Sequence, residues 1–230
     1  MKNIVILTGA GISAESGINT FRGSDGLWEG HDVMEVASPI GWNKNKELVL
    51  DFYNKRRQQL LQVAPNLAHK TLVNLENKYN VNIITQNVDD LHERAGSKNV
   101  LHLHGELLKV RSTKKPNLIY SWKKDLLIGD LCEENSQLRP HIVWFGEEVP
   151  MLEKAIEITS KADILIIIGT SMQVYPAANL INFVEPKIPV YFIDPKPAIQ
   201  KNYLPNLTVI AENASTGVVK VVTELIDLLP

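Results

Sequence analysis

Short apolar runs rich in isoleucine and valine recur along the chain, and each is bounded by turn residues or followed by a polar loop. Such runs are typical of strands buried on both faces of a parallel sheet. The predicted strands cover residues 3–7, 81–85, 164–168, 190–193 and 207–210. Segments with apolar spacing near 3.6 residues predict helices over residues 46–63, 66–78, 151–162 and 217–229. The alternation of strand and helix predicts an α/β fold with a doubly wound parallel sheet.

Two stretches interrupt this alternation. Residues 23–65 are too long for a simple loop and contain one of the predicted helices, so we expect a helical insertion. Residues 106–138 show no sustained periodicity and are expected to form a second insertion. The large domain would then consist of residues 1–22, 66–105 and 139–230, and the two insertions would form a small domain at the carboxyl edge of the sheet.

Composition and charge narrow the class of protein. The chain has 230 residues, 44% of them hydrophobic and 22% charged, which favours a globular chain with its own core over a disordered or membrane-spanning one. With a net charge of -2, the chain lacks the excess of positive charge that favours binding to nucleic acid or to an anionic membrane. Neither is therefore expected as a partner. The first apolar run leads into Thr8-Gly9 and not into a cleavage site, so we expect a cytoplasmic protein, a monomer by default.

A glycine-rich segment follows the first predicted strand. Gly9, Gly11 and Ala14 stand in the G-x-G-x-x-A order of a dinucleotide-binding fingerprint, between a strand and a helix. A tight turn without a ligand is the alternative interpretation. A second strand ending in a ribose-binding acid should follow about 20 residues later, but residues 17–30 are glycine-rich and show no strand. A bound dinucleotide would therefore not be handled as in a dehydrogenase.

Four polar side chains follow the second predicted strand, namely Gln86, Asn87, Asp89 and Asp90. Ligands of open α/β sheets bind just beyond the carboxyl ends of the strands, which favours a binding role. The alternative is a helix N-cap with a solvated first turn, which explains Asp89 or Asp90 but leaves Gln86 and Asn87 unused.

Two histidines come next in the chain. His102 and His104 would lie on one face of a strand, so a metal pair is one hypothesis, but no third ligand is suitably spaced. A catalytic base is the stronger hypothesis, because an ordinary imidazole titrates near neutrality. The alternative for either residue is a histidine bonded only to backbone.

Two further loops complete the set of candidate sites. Residues 139–147 would line a ligand groove or simply pack as a strand, and residues 169–176 end the most apolar strand in small residues. Loops after three separate strands favour a common binding site more than any one motif does alone.

Taken in order, these motifs resemble the sirtuin family. The matching segments are residues 9–18, 20–23, 85–89, 104–105, 145–147 and 169–171. The resemblance extends over almost the whole chain. It implies an NAD-dependent protein-lysine deacylase with a Rossmann-like domain and a small domain made of two insertions. The products would be free lysine, nicotinamide and O-acyl-ADP-ribose.

The resemblance also implies roles for individual residues. NAD would be bound by Gly9, Ala10, Gly11, Ser13, Phe21, Arg22, Gln86, Asn87, Asp89, Gly169, Thr170, Ser171 and Asp194. Gln86, Asn87 and His104 would be catalytic, with His104 as the base that activates a ribose hydroxyl. The backbone of an acyl-lysine protein or peptide would add as a strand between two segments, Phe145-Gly146-Glu147 and Val174-Tyr175.

Two departures from the family pattern stand out. Sirtuins usually carry two Cys-x-x-Cys pairs in the second insertion, but the chain has a single cysteine, Cys132, and Ser112 and Lys115 stand near the place of the first pair. One thiolate cannot hold a tetrahedral zinc ion, so we expect a metal-free insertion. It would be stabilised by Leu118, Ile119, Tyr120, Trp122, Leu126 and Leu127. Asp194 replaces a frequent asparagine, although a carboxylate still accepts hydrogen bonds from ribose hydroxyls.

One pair of residues bears on the acyl group. Tyr53 and Arg56 share a helix face at i and i+3, and they resemble the pair by which the desuccinylase and demalonylase branch recognises an acidic acyl tail. The alternative is a tyrosine beside basic residues on an exposed helix. Plain deacetylation, ADP-ribosyl transfer and a non-catalytic NAD-binding module remain the competing functions.

Overall fold

The computed structural model describes residues 1–19, 27–28, 30–199, 203 and 205–227. Within them the strands are β1 (Asn3–Thr8), β2 (Leu27–Trp28), β3 (His31–Asp32), β4 (Asn80–Thr85), β5 (Val100–His102), β6 (Gly105–Ser112), β7 (Ile119–Ser121), β8 (Leu138–Ile142), β9 (Ile164–Ile168), β10 (Val190–Ile193) and β11 (Leu207–Ile210). The α-helices are α1 (Gly11–Ala14), α2 (Val33–Val36), α3 (Pro39–Lys44), α4 (Lys46–Gln62), α5 (Leu67–Val73), α6 (Leu91–Ala95), α7 (Leu152–Thr159) and α8 (Ala214–Asp227).

The main sheet has the strand order β11-β10-β9-β1-β4-β5, and all neighbouring strands are parallel. From β1 the chain moves outward to β4 and β5, and it then returns to β9 and moves outward on the other side. The order therefore reverses between β1 and β9, which makes this the switch point of a Rossmann-like sheet. The predicted doubly wound α/β fold is confirmed.

Burial on both faces explains why the apolar runs predict these strands so closely. All five residues of β9 are buried. In β1, Ile4 and Ile6 pack towards α5 and α8, whereas Val5 and Leu7 pack on the opposite face towards α7. The predicted strand limits are confirmed to within one residue. The short edge strand β5 is not among the predicted strands, because its three residues are only partly buried and give no apolar run.

The helices that cover the sheet also follow the predicted segments, with shifted ends. Helix α5 stops at Val73 and continues as a 3-10 helix over Asn74–Asn77. Helix α8 begins at Ala214, three residues before the predicted start. None of the helices in the described ranges is long and apolar enough to cross a bilayer.

The two predicted insertions share one hydrophobic core. Trp42, Phe52 and Leu60 from the first insertion pack with Leu107 and Leu126 from the second. Residues 106–138 show no sustained periodicity in the sequence, yet they contain regular structure, because β6 pairs antiparallel with both β7 and β8. The irregular register between β6 and β8 hides the alternation in the sequence. Strand β8 crosses the predicted boundary at residue 139, and the division into two domains stays a prediction.

The predicted core of the second insertion is only partly correct. Leu126 is fully buried, and Leu118, Tyr120 and Trp122 pack against the shared core. Ile119 and Leu127 are exposed, so their predicted packing role is wrong. Neither the short strand β7 nor the turn after Trp122 has a periodicity that could have shown which side chains face inward.

Two buried histidines, His69 in α5 and His92 in α6, pack against each other near the end of β1. His92 bonds through Nε2 to the Thr8 hydroxyl at 3.1 Å, and its ring packs edge-on to that of His69. Burial lowers the pKa of His69 to about 4 and holds the pKa of His92 well below its usual value. Both rings are therefore neutral at neutral pH.

We expect the folded state to lose stability as the pH falls from about 6.5 towards 4. Over this interval an unfolded His69 binds a proton whereas the folded one, with its pKa near 4, does not. At about 1.4 kcal/mol per pKa unit, the loss from His69 reaches roughly 3 kcal/mol. The free energy of unfolding by denaturant is measured at pH 7 and at pH 5, where the loss from His69 should already be about 2 kcal/mol. The variant His69→Gln should lose less stability between these two pH values. Equal losses in both proteins would contradict the assignment.

Candidate active site

Two glycine loops meet at the switch point of the sheet. The Gly11 amide donates to the Gly169 carbonyl at 2.8 Å, which ties the loop after β1 to the loop after β9. A Cβ atom on Gly11 would lie 2.6 Å from Gly169 Cα, and one on Gly169 would lie 2.4 Å from the Ile12 amide nitrogen. Gly169 also has a φ of +61°, which disfavours a side chain. Glycine is therefore required where the two backbones touch.

A cavity of about 870 Å³ opens above these loops. Every residue within the described ranges to which the family resemblance assigns a role lines it, whereas the further candidates Asp90 and His102 do not. The lining residues with an assigned role are Gly9, Ala10, Gly11, Ser13, Tyr53, Arg56, Gln86, Asn87, Asp89, His104, Phe145, Gly146, Glu147, Gly169, Thr170, Ser171, Val174, Tyr175 and Asp194. Phe21 and Arg22 lie outside the described residues.

Hydrogen bonds join the glycine loop to the polar loop after β4. Asn87 donates through Nδ2 to the Gly9 carbonyl and to the Ser13 hydroxyl, each at 3.1 Å. Ser13 in turn donates to the Asp89 carboxylate at 2.9 Å. Burial raises the pKa of Asp89, and the bond from Ser13 opposes that rise. The side chains of this wall of the cavity are thus fixed before a ligand arrives.

The alternative of a helix cap is also partly correct. Asp89 accepts from the Leu91 amide at 3.2 Å at the start of α6. Gln86, which a cap leaves unused, donates to the Thr170 hydroxyl at 3.2 Å and so reaches across to the second glycine loop. Asp89 therefore supports both the helix and the cavity wall.

His104 has a defined tautomer. Its Nδ1 lies 3.0 Å from the Gln86 carbonyl oxygen, which can only accept, so Nδ1 carries the hydrogen. Burial lowers the pKa of His104, and the bond to Gln86 only partly offsets this. The ring is neutral near pH 7, and Nε2 is left as a proton acceptor on a residue that lines the cavity. This is the state that a general base needs.

His102 does not pair with His104. Its Nε2 bonds Glu93 at 2.7 Å and its Nδ1 bonds the Asn87 carbonyl at 3.1 Å. Burial disfavours the charged ring, but the bond and charge of Glu93 hold the pKa of His102 above its usual value. His102 thus supports the polar loop, and in the described part of the chain no three His, Cys, Asp or Glu side chains cluster to hold a metal ion.

An aromatic end of the cavity surrounds Tyr53 and Arg56. The Arg56 guanidinium lies 4.4 Å from the centre of the Trp28 ring and 5.8 Å from that of Phe52. Tyr53 is 0% exposed and Arg56 only 9%. The alternative of an exposed helix is therefore wrong for this pair, because α4 is buried on two sides.

Two residues of this end, Trp28 and Phe52, are not among the predicted site residues. Trp28 stands in a segment without periodicity, and Phe52 looks like an ordinary core residue. Trp144 belongs to residues 139–147, which the sequence predicts to line a groove or pack as a strand, and it lines the cavity.

The rim of the cavity contains the predicted peptide-binding segments. Phe145 and Tyr175 are exposed there. The Glu147 carboxylate instead bonds Arg139 at 2.7 Å and Arg111 at 3.1 Å. Burial alone would raise the pKa of Glu147, but these arginines and the Trp144 amide hold it below its usual value. Glu147 therefore fixes the turn and does not present a free carboxylate.

Asp194 lies at the opposite end of the cavity, after β10. Its carboxylate accepts from the Lys196 amide at 2.7 Å. Burial raises the pKa of Asp194, and the amide bond opposes the rise. This end also includes Asn213 and Ala214.

A crevice built in this way places the molecule among the α/β enzymes that bind a dinucleotide at a switch point. A model of the Sir2 family matches residues 9–176. The chain is 62% identical over 229 residues to an NAD-dependent protein deacylase of Helicobacter pylori, with 99% of each chain covered. The chain therefore belongs to the Sir2 family, the sirtuins, and the sequence resemblance is confirmed.

Solved structures support the same assignment. One, a Sir2 homologue in complex with NAD, has a TM-score of 0.88 and 39% identity, covering 100% of this chain and 91% of that chain. Another, Sir2 bound to an acetylated peptide, has a TM-score of 0.78 and 31% identity, covering 96% and 92%.

Proposed function

We propose that this sirtuin removes acyl groups that end in a carboxylate, such as succinyl, malonyl or glutaryl, from protein lysines. The chain is an NAD-dependent protein deacylase of the Sir2 type, and the proposal concerns the acyl group. Its products would be nicotinamide, free lysine and O-acyl-ADP-ribose.

The buried arginine at the aromatic end of the cavity carries the proposal. Arg56 and Tyr53 line the same cavity as His104, so an acyl chain reaching towards them would bring its carboxylate to the guanidinium. A planar guanidinium pairs with two carboxylate oxygens, and a phenol can donate beside it. A neutral acetyl group offers neither charge nor acceptor there, which costs about 1–3 kcal/mol in relative recognition.

The residues of the two glycine loops fit NAD. The cavity volume is within the range of about 300–1,000 Å³ for small-molecule sites, and a Cβ at Gly11 or Gly169 would meet the opposite loop. We propose that Gly9, Ala10, Gly11, Ser13, Gly169, Thr170 and Ser171 hold the phosphates, with Asp194 at the adenosine ribose. Bound NAD would provide the ribose–nicotinamide bond that the reaction breaks.

The remaining roles concern proton transfer and the peptide. We propose that His104 accepts a proton at Nε2 from a ribose hydroxyl, while Gln86, Asn87 and Asp89 orient the ribose and carboxamide. The peptide backbone would pair with residues 145–147 on one side and Val174 and Tyr175 on the other. Such pairing reads few side chains, so specificity would lie mainly in the acyl group.

Matched peptides test the proposed function. The purified protein is incubated with NAD and one peptide carrying either succinyl-lysine or acetyl-lysine, and nicotinamide release is followed. We expect kcat/KM to be at least about tenfold higher for the succinyl peptide, as about 1.4 kcal/mol implies. Equal kcat/KM values on the two peptides would favour a plain deacetylase. Nicotinamide release without deacylated peptide would favour an ADP-ribosyltransferase. NAD binding without nicotinamide release would favour a non-catalytic module.

We further propose that the second insertion holds no zinc. Cys132 Sγ lies 3.1 Å from the Ser136 hydroxyl and 3.5 Å from that of Ser112, and the two hydroxyls are 2.8 Å apart. All three side chains are buried, so they satisfy one another. Lys115 instead forms an ion pair with Glu134.

Elemental analysis of the purified protein should find well under one zinc ion per chain. Treatment with a chelator should leave the melting temperature unchanged, because the hydrogen-bonded cluster does not depend on a metal. Stoichiometric zinc, or a lower melting temperature after chelation, would overturn this proposal.

A further inference from the structure

Trp144 makes a hydrogen bond that no part of the proposed function uses. Its indole Nε1 donates to the Tyr53 hydroxyl oxygen at 3.0 Å. Both side chains are buried, with exposures of 2% and 0%. Trp144 lies on the wall of the cavity that also contains Tyr53 and Arg56.

The direction of this bond is fixed by chemistry. An indole N–H can only donate, so the Tyr53 oxygen must accept. The phenol has one hydrogen, and that hydrogen must then point away from Trp144. Burial raises the pKa of Tyr53 well above its usual value, against the smaller opposing effects of Trp144 and Arg56. The phenol therefore keeps its hydrogen at neutral pH.

The indole itself is held on several sides. The Arg139 guanidinium lies 3.3 Å from the centre of the Trp144 ring, and the Trp42 ring centre lies 5.7 Å away. Arg139 is fixed by its ion pair with Glu147, which also accepts from the Trp144 amide at 2.9 Å. The donor thus has little freedom to leave the Tyr53 oxygen.

We propose that Trp144 is a positioning residue for acyl selectivity, which orients the Tyr53 hydroxyl so that its hydrogen is donated to the carboxylate of an acyl group at Arg56. The inference rests on the proposed function. It adds that the Tyr53 hydroxyl alone is insufficient, because without Trp144 the phenol could turn its hydrogen elsewhere.

A double-mutant cycle tests the inference. The variants are Trp144→Phe, Tyr53→Phe and the double variant, and the readout is the ratio of kcat/KM on succinyl over acetyl peptide. We expect each single variant to lower this ratio about five- to tenfold, which is within the range for the loss of one net hydrogen bond. The double variant should match Tyr53→Phe within about twofold, since Trp144 acts through that hydroxyl.

Trp42→Phe is the matched control, because Trp42 packs against the same indole but makes no hydrogen bond to Tyr53 among the described residues. It should leave the ratio within about twofold of the parent's. If Trp144→Phe fails to fold, benzothienylalanine at position 144 keeps the bicyclic shape and removes only the N–H.

The outcomes separate this inference from the proposed function. A parent that does not prefer the succinyl peptide overturns both. A parent that prefers it, with a ratio unchanged by loss of the N–H, overturns only the role of Trp144. Equal losses on both peptides, or effects that multiply in the double variant, would make Trp144 merely structural.

Discussion

His104→Ala is expected to lower the rate of peptide deacylation by about 10²- to 10⁴-fold, the usual contribution of a general base. The Gln86 carbonyl fixes the hydrogen on Nδ1 of His104, so Nε2 is available as the acceptor. Burial lowers the pKa of His104, so the ring is in its basic form across the neutral range. Alanine removes the acceptor while leaving the two glycine loops in place.

The measurement is formation of deacylated peptide under saturating NAD, together with NAD affinity by calorimetry. Loss of turnover with an affinity within a few fold of the parent's would support a role in proton transfer. His141→Gln is the control, since His141 is a histidine of β8 that does not line the cavity. A His104→Ala variant as active as the parent would sink the catalytic assignment.

Arg56→Met is expected to lower kcat/KM on a succinyl peptide by about 100-fold and on an acetyl peptide by far less. A carboxylate brought into a buried aromatic site without its cation is left uncompensated, at a cost of about 2–5 kcal/mol. Methionine has a similar length and is apolar, so it can pack beside Trp28 and Phe52. The ratio of the two kcat/KM values, succinyl over acetyl, should therefore fall to about one or below.

Two basic neighbours of Arg56 on α4 show whether the effect of Arg56→Met is specific to that residue. Lys55→Met removes an equal charge from the exposed face, where Lys55 pairs with Asp51, and should leave the ratio unchanged. Arg57 is buried, but it donates to the Leu107 carbonyl and to Asn54 and does not line the cavity. An Arg56→Met variant that keeps its preference for succinyl would refute acidic-acyl recognition by this arginine.

Local sequence motifs are sufficient to predict most of the candidate site. Gly11 and Gly169 can be predicted because contact between the two backbones permits only glycine at each position. The glycines therefore form part of short motifs that are visible in the sequence. Gln86 and Asn87 can be found because they follow a strand of a parallel sheet, and parallel strands end at one edge. In each case the signal lies within a few residues of the chain.

Other features could not be found in that way. The hydrogen bond between Tyr53 and Trp144 joins residues 91 positions apart. The sequence near Arg56 is equally consistent with an exposed helix, and only the tertiary structure shows that it is buried beside the Trp28 and Phe52 rings. The ion pairs that Glu147 forms with two arginines likewise depend on how β6 and β8 pair.

The sequence by itself determined the parallel sheet, its glycine loops and the family, because each of these depends on short-range patterns of burial, turn geometry and chain order. Only the tertiary structure decided which side chains of the insertions face the cavity, and which partner each polar group has there. The physical reason is that burial and hydrogen-bond direction belong to the packed assembly. A residue's neighbours along the chain do not specify them.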